Sequence, residues 1–190
     1  GPGLSARVMR WLILTLALVS AVAAAQPAPK NLYVPSESEG QPWDEQKPQL
    51  PPFPKEESLV RIQVDGGLSF DFFVDLESVS VGSDGVVRYT LVARSAGGAT
   101  NIAYEGIRCN GRERKLYAFG RADQTWSAAR NPQWASISDL PVNLVQAALH
   151  DAFFCPARII VRDVEEARKL LKSGGDPRAG GSADMSNRPR

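Results

Sequence analysis

The sequence predicts an α+β domain: an antiparallel β-meander sheet of about five or six strands with one or two helices packed on one face. Three observations lead there. Apolar residues alternate with period two from Val60 to Phe119, the connections between those runs are short and rich in turn residues, and the period becomes helical after Asp139.

The first run sets Val60, Ile62 and Val64 on one face and Arg61 and Gln63 on the other, and Asp65-Gly66-Gly67 then turns the chain. Phe70, Phe72 and Val74 repeat the pattern. After Ser83-Asp84-Gly85, Val87, Tyr89, Leu91 and Ala93 oppose Arg88, Thr90 and Arg94. Gly97-Gly98 leads into Thr100 to Cys109; Asn110-Gly111 is the strongest short hairpin signal in the chain, with Lys115 to Phe119 as the return strand. Connections this short join antiparallel neighbours, because a parallel pair needs a crossover of about a dozen residues or more. The segment with Trp126, Asn131-Pro132 and Trp134 has no clear period. Beyond it Asp139 can cap, Pro141 suits a first turn, and Val142, Val145, Leu149 and Phe153 recur at helical spacing, which predicts a helix within Leu140 to Phe154. Asp163 with Glu166 three residues on starts a second helix with a stripe of Val164, Ala167 and Leu171; Lys169 and Lys172 suit its C-terminal dipole, and Gly174 stops it.

Both flanks read as a different material. Arg7 and Arg10 precede the apolar run Trp11 to Val19 and the small residues Ser20 to Ala25, the order of a secretory signal over residues 1–25, with cleavage after Ala25 or Ala23. A membrane anchor is the competing reading, but the run is short of the roughly 20 apolar residues a spanning helix needs. No second hydrophobic stretch follows, so no stable span is expected after cleavage, and no cysteine stands at the cleavage region to carry a thioether lipid. Met9 is a candidate start, with Gly1 to Val8 an extension. Eight of the 14 prolines fall between Pro27 and Pro54 among Glu37, Glu39, Asp44, Glu45, Glu56 and Glu57, so residues 26–57 are expected to form an extended, acidic tether. Docking of Trp43 and Phe53 on the domain is the alternative. Residues 173–190, rich in Gly, Ser, Asp and Pro, read as a disordered tail, leaving residues 58–172 for the core.

Composition excludes several function classes. The 190 residues carry 22 Lys+Arg and 21 Asp+Glu, a net charge of +1, too balanced for a nucleic-acid clamp. One histidine, His150, and two cysteines, Cys109 and Cys155, cannot make a four-ligand Cys/His zinc site, and no cofactor or metal is expected. In an exported chain that cysteine pair is most simply a disulfide, tying the hairpin to the end of the helix. A Cys-His nucleophile pair using His150 is the sharper alternative, without a local signature to support it. Asp71, Asp75, Glu77, Glu105, Asp123 and Asp151 offer carboxylates for glycoside hydrolysis only if two of them face each other; solvated surface acids are the plainer reading. The basic stretch Arg108, Arg112, Arg114, Lys115 and Arg121, interleaved with Tyr117 and Phe119, suits an acidic ligand, against a plain reading as a charged strand edge that resists pairing. With Arg130 nearby, a groove edged by Trp126 and Trp134 is the leading site, although tryptophans also close core edges.

The runs Val86 to Ser95, Tyr104 to Cys109, Leu116 to Gly120, Ala129 to Trp134 and Phe153 to Pro156 resemble the cryptic neisserial protein family of exported bacterial proteins. The likeness covers about Leu59 to Leu171 and transfers no catalytic residue. A looser likeness of layout, through Val74-Asp75 with Ser78, Cys109, a tryptophan and a helix ending at Cys155, is to the adhesin E family, whose members bind host proteins. The expected function is a periplasmic or secreted, non-enzymatic envelope protein that binds a protein or an anionic envelope component, and no nucleic acid. An adhesin-like surface protein and an envelope hydrolase acting on an anionic polymer are the alternatives.

Overall fold

A computed structural model describes residues 43–179. The expected signal over residues 1–25, the first part of the proline-rich stretch and residues 180–190 lie outside the described residues.

The fold is α+β, as expected. Five strands run as a meander: β1 (Leu59–Ile62), β2 (Phe70–Val81), β3 (Val86–Ser95), β4 (Thr100–Arg108) and β5 (Glu113–Gly120). Short strands β6 (Trp126–Ala128) and β7 (Ala135–Ser136) both pair with β5, every pairing being antiparallel. The aperiodic tryptophan segment therefore completes the sheet edge. In β2 the register jumps between Asp75 and Ser80; there the Ser78 hydroxyl accepts the Thr90 N–H at 2.8 Å and donates to the Asp75 carbonyl at 2.7 Å, replacing part of the lost ladder.

One face of the sheet carries the helices. Val87, Tyr89 and Leu91 pair across β3 and β4 with Ile107, Glu105 and Ala103, and this face packs against Val145, Leu149, Phe153 and Phe154 from one helical segment and Ala167 and Leu171 from another. Each large apolar side chain buried this way contributes about 1.5–3 kcal/mol. The expected helix within Leu140 to Phe154 is composite: a 3₁₀ turn at Pro141–Asn143, α1 (Leu144–Ala148), then a wide π turn over Leu149–Phe154 closed by the Cys155 N–H donating to the His150 carbonyl at 2.8 Å. Val142 sits in the tighter first turn, which rotates it out of the expected stripe and leaves it 74% exposed. The second helix, α2 (Val164–Ser173), starts as expected, with Asp163 accepting the Glu166 N–H at 2.8 Å, and ends at Gly174 in the left-handed conformation, φ 86°.

The opposite face is not bare. The expected tether over 26–57 is corrected for its second part: Trp43 to Pro54 is extended, as its prolines require, but lies on the sheet as an arm. It carries its own anchors, two aromatic rings and a carboxylate, and these match the sheet beneath, so the folded unit begins before Ser58. The expected loose tail is corrected over 173–179 as well. Gly175 donates to the Leu170 carbonyl and Asp176 to the Ala152 carbonyl, which fastens this segment to the π turn.

The arm explains why β3 is buried on both faces. Val86, Arg88, Thr90 and Val92 are as hidden as Val87 and Tyr89, although Arg88 and Thr90 read from alternation as solvent-facing.

Candidate functional site

Most of the candidate residues gather on the arm-covered face and at the corner where that face meets the disulfide. Arg108, Lys115 and Tyr117 project to the arm side because Arg108 pairs with Glu113 and Gly106 with Lys115 in the β4–β5 ladder. A bulge at Tyr104/Glu105 then turns Tyr117 over Gly106, whose missing side chain makes room for the phenol. Tyr104, Tyr117 and Trp126 form an aromatic patch there, with ring centroids 5.5 and 6.1 Å apart.

Glu45 of the arm is the centre of this cluster. Its carboxylate accepts from Lys115 Nζ at 2.6 Å, Tyr117 Oη at 2.8 Å and Trp134 Nε1 at 3.1 Å, with Arg88 Nη2 at 4.0 Å. Burial tends to raise the Glu45 carboxyl, but the donors from Lys115, Tyr117 and Trp134 outweigh it and hold it below the usual glutamate range. Burial and then the Glu45 carboxylate push the Tyr117 hydroxyl up, so the phenol keeps its proton and donates it. Next to this group, Asp84 binds Arg88 at 2.6 Å, accepts the Gln46 N–H at 2.9 Å through Oδ2, and offers its backbone carbonyl to Trp43 Nε1 at 2.8 Å. Arg88 and Asp84 were invisible as site residues in the alternation, yet the near-continuous apolar run around Arg88, Val86 to Val92, is the pattern of a strand covered on both sides.

Beyond Trp43 the surface opens into a cleft of about 830 Å³, walled by Trp43, Ser83, Arg108, Asn110, Arg112, His150, Arg158 and Ile160 among others. Arg108 lies over the Trp43 ring at 4.3 Å and pairs with Glu113 at 2.6 Å. Arg112 is tied to Asp139 at 2.7 Å and Asp151 at 2.9 Å, and donates to the Ile137 carbonyl at 2.6 Å. Arg158 has no acidic partner among the described residues. Cys109 lines the cleft, and its disulfide to Cys155, Cα to Cα 5.6 Å, joins hairpin to helix end as the sequence suggested. Around it the backbone is costly: Arg112, Ala157 and Arg158 hold φ of 52°, 54° and 64°, positions that side chains other than glycine seldom adopt.

The predicted site residues are thus divided. Arg108, Lys115, Tyr117, Trp126 and Trp134 converge under the arm, and Arg112 stands at the corner. Arg114 points to the helix face, donating to Asn143 Oδ1 at 3.1 Å, because the strand alternation sets it opposite Ile107. Arg130 is exposed and outside the cluster. Of the candidate carboxylates, Glu105 is buried against Tyr89 at 2.9 Å and Gln146 at 3.0 Å, and Asp75 accepts the Glu77 N–H at 3.1 Å. His150 is 1% exposed, with Nδ1 2.6 Å from Asp151 and Nε2 3.5 Å from the Cys109 carbonyl. Both cysteine sulfurs sit in the bridge, so neither is a thiolate partner for that imidazole.

The fold and this face define a class: a disulfide-clamped meander domain whose basic and aromatic surface is covered by its own N-terminal arm. The CNP1-like family model matches residues 38–172, and the chain belongs to that family. The chain is 30% identical over 173 residues to cryptic neisserial protein 1 of Neisseria gonorrhoeae (strain ATCC 700825 / FA 1090), a match covering 75% of this chain and 81% of that protein. The family match begins ahead of Trp43, in keeping with an arm that belongs to the domain. No solved structure matches the chain.

Proposed function

We propose that this is an exported, non-enzymatic protein of the cell envelope that binds an anionic envelope component in the corner cleft. The observation that carries the reading is Arg158, which lines the cleft on strained backbone with no acidic partner among the described residues. A left-handed non-glycine residue costs about 1–2 kcal/mol, and such strain clusters where a side chain must be aimed at a ligand. Two further guanidiniums, Arg108 and Arg112, and the Trp43 ring stand around the same space. Of the groups suited to acid–base chemistry, Glu105 and His150 are buried on protein partners, Tyr89 and Gln146 for the carboxylate and Asp151 for the imidazole, which favours binding over chemistry. Export rests on the N-terminal pattern, and the disulfide suits an oxidising compartment.

Arg158→Gly tests the reading. Glycine relieves the left-handed strain, so the variant should be as stable as the native chain or up to about 1 kcal/mol more so. It should also lose at least about tenfold in affinity for polygalacturonate or inorganic polyphosphate, measured by calorimetry at low salt. Unchanged affinity for both, or no binding of either by the native chain, would overturn the proposal. N-terminal sequencing of the protein from a periplasmic extract checks export separately.

A further inference from the structure

We propose that the arm is a self-ligand: the sheet face beneath it is a recognition groove for an extended, proline-containing peptide bearing a carboxylate, and such a segment of another protein can take the arm's place. The inference does not rest on Arg158; it shares with the cleft the Trp43 side chain, which ends the arm and walls that space.

Four observations carry it. Among the described residues no backbone-to-backbone hydrogen bond ties Trp43–Pro54 to the sheet, so the arm is held as a bound peptide is held, by side-chain anchors at intervals. Those anchors follow the logic of proline-rich recognition, in which a pre-extended ligand lies along an aromatic surface. Trp126 Nε1 donates to the Pro51 carbonyl at 2.9 Å, and its ring lies 5.5 Å from Phe53. At the other end Lys115, Tyr117 and Trp134 all aim at one carboxylate, the Glu45 side chain, a donor set that reads charge and geometry together. Between the anchors the fit is loose: Leu50 is 52% exposed, and a cleft of about 490 Å³ runs between the stretch Lys47–Pro52 and β2. Firm ends with a slack middle are what replacement in trans requires, because the competing peptide can seize one anchor before the other is released.

The probe is a fluorescent peptide with the sequence of residues 43–54, followed by anisotropy with the full chain, with Glu45→Gln and with Trp43→Ala. Each substitution loosens the arm at a different anchor and leaves the groove intact. Both variants should bind the peptide at least about tenfold more tightly than the native chain, and a peptide carrying Glu45→Gln should lose at least about tenfold of that affinity. Arg158→Gly should leave peptide binding unchanged. Circular dichroism confirms that each variant is folded, and either one alone suffices for the comparison. The proposal is overturned if no folded variant binds the peptide, if both peptides bind equally, or if the loosened variants form dimers without peptide. In the last case the occupant is a second copy's arm.

Discussion

Lys115 and Glu45, 70 positions apart in the chain, meet at 2.6 Å with both side chains largely hidden, and this contact decides where the folded domain begins. Glu45→Ala deletes the shared acceptor of Lys115, Tyr117 and Trp134 and strands three donors under the arm. Leaving buried partners unmade costs about 1–3 kcal/mol. The urea midpoint should fall accordingly and the tryptophan emission should shift red as Trp43 and Trp134 gain water. An unchanged midpoint would mean that the arm adds nothing to the fold.

Acid should act through the same contacts. Burial raises Glu45, Asp84 and Asp151, but the donors outweigh it: Lys115 for Glu45, Arg88 for Asp84 and Arg112 for Asp151, so all three carboxyls sit below their ordinary values. A carboxyl depressed on folding contributes stability above its unfolded pKa and loses it as pH falls through the folded one. The melting temperature should therefore be level from pH 7 to about 5 and fall below about 4. Glu45→Gln should show a lower but flatter profile; equal slopes for the two proteins would remove Glu45 from the account.

The disulfide closes a long loop between the hairpin and the π turn, with a sequence separation of 46. In the chain-entropy description a loop of this length adds about 4 kcal/mol, and measured bridges typically deliver about 2–4 kcal/mol. Cys109→Ser with Cys155→Ser should lower the unfolding free energy from urea denaturation by that amount and speed proteolysis at Ala157 and Arg158, which no longer have a fixed anchor. Equal midpoints with and without reductant would show the bridge to be idle.

Most of the sheet was legible because alternation and turn chemistry act over neighbouring residues: Asn110-Gly111 marks its hairpin and Asp163 its helix cap without help from the rest of the chain. The arm was not, because proline content says that a segment is extended and nothing about where it lies. Its docking depends on Glu45 meeting Lys115, Tyr117 and Trp134 across a fold that local pattern does not display. Val142 escaped for a related reason: a 3₁₀ turn ahead of α1 changes the angular step, so a stripe counted at a single period drifts off the core. Trp126 and Trp134, singled out by their chemistry, both lie against the arm, while the burial of Arg88 is not legible because alternation assumes one wet face.

Gly106 offers the sharpest local test of how sheet and arm are joined. It stands in β4 beneath the Tyr117 ring, where an added Cβ would lie 2.7 Å from Tyr117 Oη, 2.9 Å from Cε2 and 3.0 Å from a Val86 methyl. The ring has no free direction: Tyr104 stacks near it at 5.5 Å, Arg88 lies over its face at 5.7 Å, and its hydroxyl is bound to Glu45. Gly106→Ala must therefore lift the phenol off its bond to Glu45 rather than merely tilt it. Overpacking of this kind costs about 1–3 kcal/mol. The loss should appear in urea denaturation and should overlap with that of Glu45→Ala, since both break the same contact; in the double variant the two costs should sum to less than their separate values. Full additivity would place the strain of Gly106→Ala inside the sheet alone and sever the link from β4 through Tyr117 to the arm.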